Sequence, residues 1–272
     1  MLIKAEDFSL DRTLGSGQSF VWRKIDGDWV SFVGKPVSIS QNGDGSLSFE
    51  GCSEKEVRDR LGLNDDITGI RAEIDKDDFV DKAITHSGRL RVVKDGLWPA
   101  TLGFILSIQS NIPLINRRIA VMSNFYGEKG SVNGKDVFSF PTPSQIYDGG
   151  LDRLKAFKLG FRTRFVFSAA EYFCKHILSD STPVDELENS LMEITGVGDK
   201  VLDCILLYGI HDLSRFPIDV WISRVVQKHY SDVISGKKKY RDVSRAISSY
   251  FGRYAGYAQL FIYDYSRLNS IK

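Results

Sequence analysis

The chain has 272 residues, 42% of them hydrophobic, and 36 Lys+Arg against 35 Asp+Glu leave a net charge of +1. That length and composition suit one large domain or two moderate ones with a sizeable core. No run approaches the roughly 18 consecutive apolar residues of a membrane helix, and Met1 to Leu10 lacks the apolar stretch of a signal peptide, so an intracellular protein without a membrane segment is expected.

Cys52, Cys174 and Cys204 are far apart and odd in number, which argues against a disulfide framework or a cysteine metal cluster. The 4 histidines show no His-Glu-x-x-His spacing, so neither a zinc site nor another cofactor is expected. Charge is unevenly spread. Residues 1–90 hold 12 basic and 17 acidic residues, whereas residues 220–272 hold 10 and 3. The excess suggests a basic face in the C-terminal half, although on charge alone a solvated helix surface explains it equally well.

In chain order, the first third reads as strand-rich. Asp28 to Val33 forms a strand. Val37 and Ile39 alternate with polar residues, Asn42-Gly43-Asp44-Gly45 turns the chain, and Leu47 and Phe49 alternate again, which predicts a hairpin. Glu54–Leu61 and Phe79–Ser87 read as helices. From Trp98 the period becomes helical, with Pro99 suited to a first helical position and Leu102, Ile105, Leu106 and Gln109 on one face. Ile112, Ile115, Ile119, Met122 and Phe125 predict a second helix, stopped by Gly127. Arg164–Leu178 is a third. Thr182-Pro183 can cap and open a fourth, running to about Met192. Asp199–Tyr208, Val220–Tyr230, Tyr240–Tyr250 and Tyr254–Arg267 complete the set. The reading is α+β: an N-terminal part over residues 1–95 and a helical part over 96–272, with a helix-hairpin-helix at about 184–210.

The hairpin carries the chemistry. Thr195-Gly196-Val197-Gly198-Asp199-Lys200 places a Gly-x-Gly turn at the start of a helix. Glycines at 196 and 198 permit positive φ and close approach, and free amides at the helix start can hold a DNA phosphate. A tight helix–helix turn explains the glycines about as well. Lys200 by itself is an exposed lysine near a helix start. That place disfavours a cation, and an amine nucleophile must be partly neutral, so a poor position for stability suits amine chemistry. Asp219, after Pro217-Ile218, reads as an N-cap. Fixed there, its carboxylate can also stabilise positive charge developing on a sugar.

Gly196-Val197-Gly198-Asp199-Lys200-Val201-Leu202-Asp203-Cys204 with Pro217-Ile218-Asp219-Val220 resembles the helix-hairpin-helix glycosylases, and most nearly the 8-oxoguanine DNA glycosylase/AP lyase family. Ser16-Gly17-Gln18-Ser19-Phe20-Val21-Trp22-Arg23, Lys158 to Arg164 and Tyr254 to Gln259 are similar to further family motifs in the same order. The resemblance implies a TATA-binding-protein-like antiparallel sheet domain followed by an all-helical glycosylase domain. It also implies a monomer that takes double-stranded DNA containing 8-oxoguanine, flips the damaged nucleotide, attacks C1′ with Lys200 assisted by Asp219, and nicks the strand by β-elimination. By resemblance the Gly17 carbonyl accepts the N7 hydrogen of 8-oxoguanine, Gln259 bonds the Watson–Crick edge, and Cys204 and Tyr263 sandwich the base. Without the resemblance, Cys204 and Tyr263 read as core. Phe161 and Gln109 fill the gap in the stack, and Arg162 meets the opposite base. Gly196, Gly198 and Trp221 face phosphates, and the carbonyls of Met192, Ile194 and Val197 match those that hold an optional structural cation. Leu114 stands where animal members carry a second arginine for the opposite cytosine, and Trp221 stands in place of a histidine. A glycosylase for another lesion and a non-catalytic DNA-binding hairpin remain the alternatives.

Overall fold

The structure, a computed structural model, describes residues 1–269. Its N-terminal part is a five-stranded antiparallel sheet in the order β1-β5-β4-β3-β2, built from β1 (Leu2–Ile3), β2 (Trp22–Ile25), β3 (Asp28–Val33), β4 (Lys35–Gln41) and β5 (Leu47–Glu50). The predicted hairpin is β4–β5. Val37, Ile39, Leu47 and Phe49 are buried on one face, as their alternation requires. Asp44 fixes the turn by accepting from the Ser46 amide at 3.0 Å and its hydroxyl at 2.6 Å. Between β1 and β2 lies α1 (Leu10–Gly15), and α2 (Glu54–Arg60), α3 (Ile67–Ile74) and α4 (Asp78–Ser87) follow the sheet. β1, β2, α1, α3 and the 14-residue helix Pro143–Ala156 have no counterpart in the sequence reading; β1, β2 and α1 span too few repeats to register, and the last is interrupted by the non-helical Gly150.

The rest is mainly helical: α5 (Leu97–Ser107), α6 (Ile112–Tyr126), α7 (Pro143–Ala156), α8 (Arg162–Lys175), α9 (Val184–Met192), α10 (Asp199–Ile210), α11 (Val220–His229), α12 (Tyr240–Phe251) and α13 (Ala255–Leu268). The α+β architecture is the expected one, with an addition. A hairpin of β6 (Lys129–Val132) and β7 (Lys135–Phe138) turns at Asn133-Gly134, both at positive φ, so this part is not all-helical. Asn-Gly between short alternating runs was the available signal. The hairpin lies on the N-terminal sheet, where Lys135 and Asn133 donate to Asp28 at 2.6 and 2.8 Å and Val132 and Val137 bury Val30.

Boundaries of α5, α8 and α9 differ from expectation in ways that matter. α5 begins at Leu97, with its amide donating to Asp180 at 3.0 Å, so Pro99 is not its first residue. It ends at Ser107, and Gln109 adopts φ 48° in the turn to α6 instead of sharing the face of Leu102, Ile105 and Leu106. α8 starts at Arg162, directly after Phe161, and ends at Lys175. Thr182 closes a turn with Ser179 and does not cap α9, whose N-cap is Pro183.

The principal core runs unbroken from Ile3 to Ile262. α4 packs along α13, and Asp264 of α13, almost fully buried, accepts from Ser87 at 2.9 Å and from Arg12. Asp77 caps α4 and also accepts from Tyr250 at 3.1 Å. The first and last parts of the chain therefore close on each other.

Candidate active site

The turn from α9 to α10 is built by its glycines. Gly196 sits at φ 95°, and a Cβ there would fall 2.4 Å from the Phe165 ring. Gly198 is the N-cap of α10, with open space around it and no side chain capping the helix. The first amides of α10 are thus available to an anion. The Thr195 amide donates to Ser168 at 3.1 Å, which fastens the turn to α8.

Lys200 is the second residue of α10 and half-buried, with its ammonium 5.5 Å from the Phe104 ring centroid. Asp219 is the N-cap of α11 and accepts from the Ile222 amide at 2.8 Å. Burial raises the Asp219 carboxyl above the ordinary range, while the Ile222 amide and the Lys200 charge pull the other way. Cys204, one turn beyond Lys200, is buried, and burial pushes its thiol up to about 11 against the pull of the same lysine. A neutral thiol at pH 7 is an apolar surface and not a nucleophile. One lysine thus acts electrostatically on both Asp219 and Cys204.

Gln259 and Tyr263 extend this group from α13. The buried Gln259 accepts from the Tyr208 hydroxyl at 2.9 Å. Tyr208 stacks on Phe104 at 5.5 Å, and Phe104 meets Phe20 edge-on at 5.6 Å. The Tyr263 phenol is raised by burial first, then by Asp219, with Cys204 adding to it. Gly17 lies three residues before Phe20, in the segment between α1 and β2. It has φ 95°, and a Cβ would collide with Ile112 at 2.4 Å. The polar residues around it are anchors. Ser16 donates to the Thr13 carbonyl at 2.8 Å, Gln18 donates to the Arg91 carbonyl at 2.9 Å and accepts from the Val93 amide at 2.9 Å, and Ser19 donates to Asp95 at 2.7 Å. The Ser-Gly-Gln-Ser pattern therefore fixes a loop whose glycine presents backbone. Phe104, Tyr208 and Asp95 were not singled out from the sequence, because the first two read as core and the third as a loop acid.

A second group forms where α5, α6 and α8 meet. Phe161 is 46% exposed and stands beside the Arg162 guanidinium, whose carbon lies 4.4 Å from the ring centroid. Gln109 and Leu114 are also exposed. Arg162 departs from expectation, being only 6% exposed. It donates to the carbonyls of Ile108 and Gln109, each at 2.7 Å, again to Ile108, and to Leu159 at 3.3 Å. Four of the roughly five guanidinium hydrogens are thereby committed to main chain.

Trp221 is half-buried in the first turn of α11, with Arg224 5.6 Å from its ring. The Met192, Ile194 and Val197 carbonyls share the hairpin turn, where that of Ile194 already accepts the Val197 amide at 3.0 Å. Among the described residues, no group of three His, Cys, Asp or Glu side chains could hold a metal ion.

Residues 1–98 match the family model described as 8-oxoguanine DNA glycosylase, N-terminal domain. The whole chain is 24% identical over 318 aligned residues to a probable N-glycosylase/DNA lyase of Methanothermobacter thermautotrophicus, covering 97% of that protein. It is 23% identical to the N-glycosylase/DNA lyase OGG1 of Arabidopsis thaliana, covering 94% of this chain and 77% of the other. The fold superposes on MBOgg1, solved with a low-affinity DNA ligand, with TM-score 0.89 and 27% identity over 99% of this chain and 96% of the other. It also superposes on the 8-oxoguanine glycosylase/lyase of Clostridium acetobutylicum bound to duplex DNA, with TM-score 0.87 and 23% identity over 100% and 99% of the two chains. With the glycine turn, the lysine and the aspartate close together, this protein is similar along its full length to N-glycosylase/DNA lyases, and its first 98 residues match the N-terminal domain of 8-oxoguanine DNA glycosylases.

Proposed function

We infer that this protein is a bifunctional DNA glycosylase and lyase that excises 8-oxoguanine from duplex DNA. The observation that carries the reading is the placement of Lys200, at an uncapped helix start and acting on both Asp219 and Cys204. The flipped nucleotide brings C1′ to the Lys200 amine. The amine attacks C1′, the glycosidic bond breaks, and its electron pair leaves with the base. Asp219 stabilises the positive charge at the sugar in the transition state. The aminal so formed opens at C1′–O4′, O4′ taking up the proton that the amine gives up, and leaves a Schiff base that acidifies C2′; loss of the C2′ proton then expels the 3′ phosphate.

Gly17 supplies the discriminating contact in this reading. Guanine N7 is an acceptor, whereas 8-oxoguanine carries a hydrogen there, so a carbonyl at Gly17 attracts one and repels the other. Gln259 holds the Watson–Crick edge, and Cys204 and Tyr263 cover the faces of the base. Gly196, Gly198 and Trp221 face phosphates, and a structural cation on the Met192, Ile194 and Val197 carbonyls would stiffen the turn without entering the chemistry. Phe161 and Gln109 fill the vacated gap, and Arg162 meets the opposite base. The protein acts as a monomer inside the cell. No helix among the described residues is long and apolar enough to cross a membrane.

Borohydride reduction of a Schiff base tests the reading. Wild-type protein with an 8-oxoguanine duplex is expected to give a covalent crosslink, and Lys200→Gln none, while still binding the duplex. Trapping on a different oxidised base alone would favour another substrate. No trapping on any duplex would leave a non-catalytic binding module, and trapping by Lys200→Gln would move the nucleophile elsewhere.

A further inference from the structure

Asp203 and Tyr240 lie behind the reacting groups, and no part of the proposed chemistry uses them. Asp203 follows Lys200 by three residues on α10 and is 8% exposed. Its Oδ2 accepts from the Tyr240 hydroxyl at 2.8 Å and from the Ser244 hydroxyl at 3.1 Å, both on α12. The same Tyr240 oxygen accepts from the Ile218 amide at 3.1 Å. Ser244 also approaches the Phe216 carbonyl at 3.1 Å, and the Asp203 Oδ1 faces Arg215 at 3.8 Å. Each of these outer partners belongs to the segment that leads into Asp219.

Lys200 and Asp219 come from different helices, and the backbone before Asp219 is loop. N-capping holds the Asp219 carboxylate to α11 but says nothing about where α11 sits relative to α10. The hydroxyl of Tyr240 closes that gap: it donates to α10 and accepts from the residue preceding Asp219. A buried carboxylate with two hydroxyl donors is a costly arrangement unless satisfied, so it rigidifies what it joins.

We propose that Tyr240, acting through Asp203 and supported by Ser244, is a positioning residue that sets the Asp219 carboxylate against the Lys200 amine. The proposal rests on the assignment of those two residues as the reacting pair. Tyr240→Phe keeps the ring and removes both hydrogen bonds. Displacements of about 1 Å can cost on the order of 100-fold in rate, so base excision under single-turnover conditions is expected to fall about 10- to 100-fold. The dissociation constant for the same duplex should stay within about twofold, because Tyr240 is not among the groups assigned to DNA. Tyr250→Phe is the comparator. It removes a tyrosine hydroxyl bond on the same helix, to Asp77 at 3.1 Å and outside the Asp203 network, and is expected to leave the rate unchanged.

A folded Tyr240→Phe protein with the wild-type rate would overturn the proposal, as would an equal loss in Tyr250→Phe. Failure of the underlying assignment is distinguishable, since Lys200→Gln would then retain borohydride trapping whatever Tyr240→Phe does.

Discussion

At the scale of single residues, specificity for the opposite base turns on two positions in the proposed reading. Leu114 offers no hydrogen bond to an opposite base, and it is 38% exposed at the start of α6 near the Gln109 turn. Arg162 keeps a single unspent donor. A site that makes few polar bonds to a base rejects its alternatives weakly. Excision of 8-oxoguanine opposite each of the four bases is therefore expected to differ by no more than about tenfold, the level of roughly one weak contact. A strong preference for cytosine in single-turnover assays would refute this. Lys200 and Asp219 were legible in the sequence because each sits at a helix start with its own local signature. The engagement of Arg162 was not, since the Ile108 and Gln109 carbonyls it binds are more than fifty positions away in the chain.

At the scale of elements, α8 joins two parts of the site. Its first turn carries Arg162 beside Phe161, and its body supports the hairpin through Phe165 under Gly196 and Ser168 on the Thr195 amide. The Arg162 fork holds the end of α5 and the Gln109 turn in place, including the left-handed backbone at 109. Arg162→Ala would leave three carbonyls short of a partner. It is expected to lower stability by about 1–3 kcal/mol, read as a drop in Tm, and to slow excision by freeing Gln109. Arg162→Lys should rescue little, because a single ammonium cannot reproduce the fork. Wild-type rates in both variants would show that the turn holds itself.

For the whole molecule, the division near residue 95 is proposed as a division of roles and not of folding units, since the principal core passes through both parts. Asp95 stands at that junction. Its amide donates to the Tyr208 carbonyl at 2.9 Å, and its carboxylate accepts from Ser19 in the Gly17 loop. Burial pushes this carboxyl up to about 7, with the Ser19 hydroxyl, Arg60 and the Phe20 amide opposing the shift. The folded state then holds a proton that the unfolded state has released, from the ordinary carboxyl value of 3.8 up to about 7. The Asp95 contribution to stability is full below the lower value and is lost as pH rises through the upper one. Tm is expected to fall between pH 5 and pH 8 more steeply in wild type than in Asp95→Asn, whose neutral side chain can still accept from Ser19. Parallel melting curves across that range would remove Asp95 as the cause.

By itself the sequence determined the elements that announce themselves locally: the Asn42–Gly45 hairpin, the glycine turn before Lys200, the N-cap at Asp219 and the succession of amphipathic helices. Each depends on residues a few positions apart, whose backbone preferences and spacing act before any distant contact forms. Only the tertiary structure decided that Arg162 clamps a turn, that β6–β7 covers the N-terminal sheet, that Ser19 and Asp95 anchor the Gly17 loop, and that Tyr240 ties α10 to the approach to Asp219. Those are pairings of buried polar groups across long stretches of chain. Their partners are chosen by which donors and acceptors packing leaves facing one another out of water, and no local periodicity encodes that choice.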